Sequence, residues 1–246
     1  MKKVLWLDTE TTGLNPKKHG LREIGYIMII DGQVVEKDVL YIDPRTYKRE
    51  IEIDNRALEL SNITIDDFED YGDSRCHFDY FREILDKYSK GGKFILAGFN
   101  VKFDNDFLRE WFYDNNAGVD FKDYFHYKVI DVFPLVITLK HLGLMDTVDD
   151  KLKTVCEHFN IQIDAHNALS DIEATKELYE LIADRFINDK EVFKQKEFEY
   201  RTKCQETLST ERLVTNNIND SSIYRIAGYA SDVREWYLNL TRDKKI

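Results

Sequence analysis

Three apolar runs crowd the first 42 residues. Val4, Leu5, Trp6 and Leu7 form a short block bounded by charge, which predicts a buried strand over residues 3–8. EIGYIMII (23–30) and QVVEKDVLYI (33–42) also read as strands, and Asp31-Gly32 between them is a strong hairpin signal. Together they predict an antiparallel three-strand start to a sheet. Short helices are expected over 56–60 and 64–70, with Asn55 and Thr64 as caps. Phe78, Phe81, Ile84, Leu85 and Tyr88 recur at helical spacing across 77–89, before Gly91-Gly92 stops the helix. A buried strand over 94–97, a helix over 104–115, a strand over 128–131 and helices over 132–141 and 151–158 follow. The strongest late element is 168–186, with Ala168, Ile172, Thr175, Tyr179, Ile182 and Phe186 on one face. This order indicates an α/β domain with a mixed sheet.

Residues 188–246 have a different texture, richly charged with a polar break at Asn216-Asn217-Ile218-Asn219-Asp220. They predict a C-terminal helical extension after a domain spanning 1–187. Charge divides the same way: 24 Lys/Arg face 36 Asp/Glu before residue 188, and 11 face 10 from there onward. So acidic a domain argues against a protein that coats nucleic acid through a broad basic surface. An enzyme whose metal ions supply the positive charge locally remains compatible. Cys76, Cys156 and Cys204 are scattered without C-x-x-C spacing, so neither a disulfide framework nor a zinc site is expected. No apolar stretch is long enough to span a bilayer, and a soluble cytoplasmic protein is expected.

The first strand runs into Asp8-Thr9-Glu10-Thr11-Thr12-Gly13. Alternation puts Asp8 and Glu10 on one face, roughly 6.5–7 Å apart along the chain, where two carboxylates repel unless a cation sits between them. Asp104 opens a helix within AGFNVKFDNDFLREW (97–111). His166 and Asp171 stand in HNALSDIEAT (166–175), one before and one inside the first turns of the late helix. Each is unremarkable alone, since acids at helix starts also serve the macrodipole.

In combination, D-x-E on a first strand, N-x-x-F-D before a helix and H-x-A-x-x-D at a late helix resemble the DEDDh exonucleases. That group includes the proofreading epsilon subunit of bacterial DNA polymerase III, ribonuclease T and oligoribonuclease. The resemblance runs from about residue 3 to 186 and includes Thr-Thr-Gly-Leu after Glu10, the 57–60 helix, the Asp131 strand end and KLKTVCEHFNI (151–161). His166 stands five residues before Asp171, as in the histidine subgroup, while Asn167 occupies the tyrosine position of the sister group. Phe99 departs from the histidine that relatives often carry.

The resemblance implies a ribonuclease-H-like mixed sheet flanked by helices and a metal-dependent 3′→5′ exonuclease releasing nucleoside 5′-monophosphates. Two divalent ions, Mg²⁺ or Mn²⁺, would be held by Asp8, Glu10, Asp104 and Asp171, as hard cations favour carboxylate oxygens. His166 would be the general base, and Thr11 and Leu14 would contact the terminal nucleotide, with Asn100 nearby. Single-stranded or frayed DNA 3′ ends are the favoured substrate. RNA trimming, proofreading beside a polymerase docked through 188–246, and a non-enzymatic nucleic-acid-binding module are the alternatives.

Overall fold

A computed structural model describes residues 2–164 and 167–188, the last four through their main chain, and they fall in one compact unit. Strands β1 (Lys3–Thr11), β2 (Leu21–Ile30) and β3 (Gln33–Asp43) form the expected antiparallel meander. Asp31 and Gly32 take φ of 50° and 86°, as a two-residue turn between twisted strands requires. A two-residue β4 (Gly72–Asp73) lies parallel to the end of β3. Strands β5 (Phe94–Gly98) and β6 (Phe125–Asp131) continue in parallel from β1, giving the order β4-β3-β2-β1-β5-β6. This is the mixed ribonuclease-H-like sheet.

Helices α1 (Asn55–Leu60), α2 (Ser74–Ser89), α3 (Val101–Asp114), α4 (Phe121–Tyr124), α5 (Phe133–His141), α6 (Leu152–His158) and α7 (Ala168–Asn188) complete the domain. Alternation along β1 separates two cores. Leu5 and Leu7 pack with Phe78 and Phe81 of α2 and with Phe107, Leu108, Trp111 and Phe112 of α3. Phe78 meets Trp111 and Phe112 edge-on, with ring centroids 5.2 and 5.0 Å away, contacts worth about 0.5–1.5 kcal/mol each beyond their burial. Trp6 points the other way, into Val136 and Leu139 of α5, Val155 and Cys156 of α6, and Ile172, Leu178 and Ile182 of α7.

Several boundaries differ from the sequence pattern. Helix α1 is capped by Asp54, whose carboxylate accepts the Arg56 N–H at 2.9 Å, rather than by Asn55. The 64–70 segment is a 3₁₀ turn over Asp66–Asp70, and Thr64 bonds to Asp67 through both its N–H and its hydroxyl. Helix α3 begins at Val101. Strand β6 begins at Phe125 because a buried Phe125 anchors it, while its exposed Tyr127, Lys128 and Val129 carry no apolar alternation to read. Among the described residues no helix is long and apolar enough to cross a membrane. Apart from Asn188, the expected extension over 188–246 lies outside the described residues.

Candidate active site

The site forms where β1 ends. Asp8 and Glu10 share the face of Trp6 and therefore look toward α7, whose first turn carries Asp171. One carboxylate oxygen from each of Asp8, Glu10 and Asp171 lies within 4.8 Å of the others. Three features bring α7 that close. A Cβ on Gly25 of β2 would stand 2.4 Å from the Ala168 carbonyl carbon, so only glycine admits the helix end here. Glu23 Oε1 accepts the Ala168 N–H at 2.9 Å. Asn167 caps the helix, its Oδ1 accepting the Ser170 N–H at 2.9 Å.

Asp104 arrives from the other layer. Thr9 faces α3, and its hydroxyl donates to Asp104 Oδ1 at 2.8 Å. Asp104 is only 3% exposed. Burial pushes its carboxyl up to about 7, against the opposing bonds from Thr9, and the charge of Asp131 adds to the rise. Asp8 is held well above the usual carboxylate range, first by burial and then by the charges of Asp104, Asp171, Glu10 and Glu23. Carboxylates this crowded either keep protons or share a cation. The donor set is entirely oxygen and anionic, which fits hard divalent ions. Asp104 borders the three converging oxygens without being one of them.

Glu10 has a cationic partner behind it. Arg22 Nη2 donates to Glu10 Oε2 at 2.8 Å and to Ser61 Oγ at 2.5 Å, while Arg22 Nη1 lies 3.6 Å from Glu23 Oε2. The Arg22 side chain is 1% exposed.

The turn after Glu10 is cross-braced. The Thr11 hydroxyl donates to the Gly13 carbonyl at 2.7 Å, and the His19 ring occupies the space over Gly13. Arg49 donates to the carbonyls of Pro16, Lys17 and His19 and pairs with Asp114 at 2.9 Å. Leu14 stands out from this turn, 83% exposed. Asn100 takes a left-handed conformation with φ of 64° at the start of α3, and its N–H donates to Asp131 Oδ1 at 2.9 Å. His166 lies outside the described residues. Its flanks are tied together where the Asp164 N–H donates to Ser170 Oγ at 2.9 Å.

The family model for RNase_T, described as exonuclease, matches residues 5–179. The chain belongs to this exonuclease family. Among curated relatives of this exonuclease domain are PolC-type DNA polymerases III. That of Clostridium perfringens is 28% identical over 173 residues, which make up 70% of this chain and 10% of the polymerase. That of Thermotoga petrophila is 34% identical over 105 residues, 43% of this chain and 7% of the polymerase. The exonuclease domain thus spans about a tenth of the length of these relatives. E. coli Exonuclease I in complex with a dT13 oligonucleotide shares its fold at a TM-score of 0.63 and 20% identity, over 75% of this chain and 42% of that one. The zinc-bound form of the same enzyme's complex with single-stranded DNA gives 0.64 and 19%, over 76% and 42%.

The motifs of the exonuclease family did not point to Arg22, Glu23 or Gly25. Gly25 inside an otherwise bulky strand was the available signal, since such a glycine marks a close backbone approach.

Proposed function

We propose that this exonuclease domain removes nucleoside 5′-monophosphates from 3′ ends of single-stranded or frayed DNA. One observation carries the reading: carboxylates of Asp8, Glu10 and Asp171 converge within 4.8 Å, with Asp104 alongside. Asp8, Glu10 and Asp171 would hold one divalent ion and Asp8 with Asp104 a second, Mg²⁺ or Mn²⁺ in either case. Such ions, when bound, acidify water and offset charge developing on the departing oxygen. His166 takes the proton of the attacking water, a task suited to a side chain that titrates near neutrality. Leu14 offers an apolar contact for the terminal base, and Thr11 and Asn100 complete the nucleotide contacts.

The PolC-type polymerases and the DNA complexes of Exonuclease I favour DNA over RNA. The PolC-type relatives also support a role in proofreading beside a polymerase; docking through residues 188–246 and a cytoplasmic location belong to the same proposal. The test uses 5′-labelled single-stranded DNA and a matched RNA with Mg²⁺ or Mn²⁺. The expected result is stepwise shortening from the 3′ end, faster on DNA and abolished by EDTA. DNA left intact with both metals overturns the exonuclease reading, and faster cleavage of RNA overturns the DNA assignment.

A further inference from the structure

Arg22 does not lie where strand alternation would send it. Glu10 pairs with Glu23 across β1 and β2, but the next pair is Thr11 with Leu21, so Arg22 is an extra residue in β2. Leu21 and Ile24, three positions apart, both enter the α2–α3 core, which regular alternation forbids. A bulge of this kind re-aims a side chain, and here it delivers a guanidinium to the back of Glu10. Burying an arginine is costly unless its donors are met. Glu10, Ser61 and Glu23 surround Arg22, while its Nε is buried without a hydrogen-bond partner among the described residues. A planar fork that reaches three elements suits orientation, because its donors have fixed relative directions.

We propose that Arg22 is a positioning residue for the metal centre. It pins Glu10 Oε2 and so fixes the direction in which the carboxylate meets Asp8 and Asp171. Through Glu23, which holds the Ala168 N–H, it ties that geometry to the start of α7. Glu10 on β1 and Asp171 on α7 are thereby set by one buried cation. This rests on the reading of these acids as metal ligands, not on the substrate.

Charge and geometry give opposite signs in the test. Removing a nearby cation should tighten Mn²⁺ binding by electrostatics alone, whereas losing the orientation of Glu10 should weaken it. The measurement is an EPR titration of Mn²⁺ into the metal-free full chain without nucleic acid, for R22K, R22M and S61A, with folding followed by Tm. R22K keeps the charge but a single ammonium cannot span Glu10, Ser61 and Glu23. The expected result is Mn²⁺ affinity weakened about tenfold in R22K, as for other residues that orient metal ligands, and weakened less in S61A. R22M, if it folds, should also bind more weakly. Native affinity in folded R22K and S61A, tighter binding by R22M, or no Mn²⁺ binding by the native chain would overturn the proposal. Weakened binding in a chain that leaves DNA intact would instead sink the exonuclease assignment and spare the role of Arg22.

Discussion

On the α7 face of β1, Glu10 is backed by a buried guanidinium at 2.8 Å. On the α3 face, Asp104 has the neutral hydroxyl of Thr9, and burial pushes its carboxyl up to about 7. Glu10 therefore carries its own counter-charge, while Asp104 and Asp8 depend on protons or on an ion from solution. The contrast teaches that a metal-ready site need not be uniformly unstable when empty. Compensation at Glu10 can fix a ligand direction, while the uncompensated acids supply the attraction for a cation.

The largest expected effects fall on Asp8 and Asp171. Asp8→Ala and Asp171→Ala should each lower kcat by about 10³-fold or more, the scale of losing an electrostatic centre, with calorimetric Mn²⁺ binding lost in parallel. His166→Ala should lower kcat by about 10²–10⁴-fold, as for a general base, while leaving Mn²⁺ affinity near native. Loss of metal as severe as in Asp8→Ala would remove His166 from its assigned role.

The asymmetry itself is sharpened by two single variants measured in EDTA at pH 8. Glu10→Ala strips a buried arginine of its nearest carboxylate and should cost about 3 kcal/mol in chemical denaturation. Asp104→Asn removes an ionised, buried and uncompensated carboxylate and should raise Tm, though it abolishes turnover. If both variants destabilise the metal-free protein equally, the two faces do not differ as described.

The smallest effect is a pH dependence of the metal-free state. An aspartate in the unfolded chain titrates near 4, whereas Asp104 in the folded domain titrates at about 7. The folded state therefore binds more protons between these values, and stability is present below the lower one and lost as pH rises through the upper. Thermal melts in EDTA should fall by about 5–10 °C between pH 5 and 8, the shift that about 2–3 kcal/mol gives a domain of this size. Saturating Mn²⁺ should abolish the decline, and a flat EDTA profile would contradict the assignment.

Much of this arrangement was legible because it follows strict periodicity. Alternation placed Asp8 and Glu10 together, Asp31-Gly32 announced the hairpin, and the apolar face of 168–186 marked the helix that brings Asp171. What escaped depends on broken periodicity or distant pairing. The bulge at Arg22 reverses the face that counting assigns to it. The bond from Ala168 to Glu23 spans 145 residues, and no local pattern encodes it. Asp104 was expected to open its helix, but the left-handed Asn100, fastened to Asp131, starts α3 at Val101. Tertiary ties of this kind set the entry of a helix more firmly than its propensities do.

The most direct test is anomalous diffraction from a crystal of the native chain soaked in Mn²⁺. The account predicts peaks bounded by the carboxylates of Asp8, Glu10 and Asp171, with Asp104 beside them and Arg22 still bonded to Glu10. An absence of manganese density there at saturating concentration, or Asp104 turned away from the cluster, would contradict it.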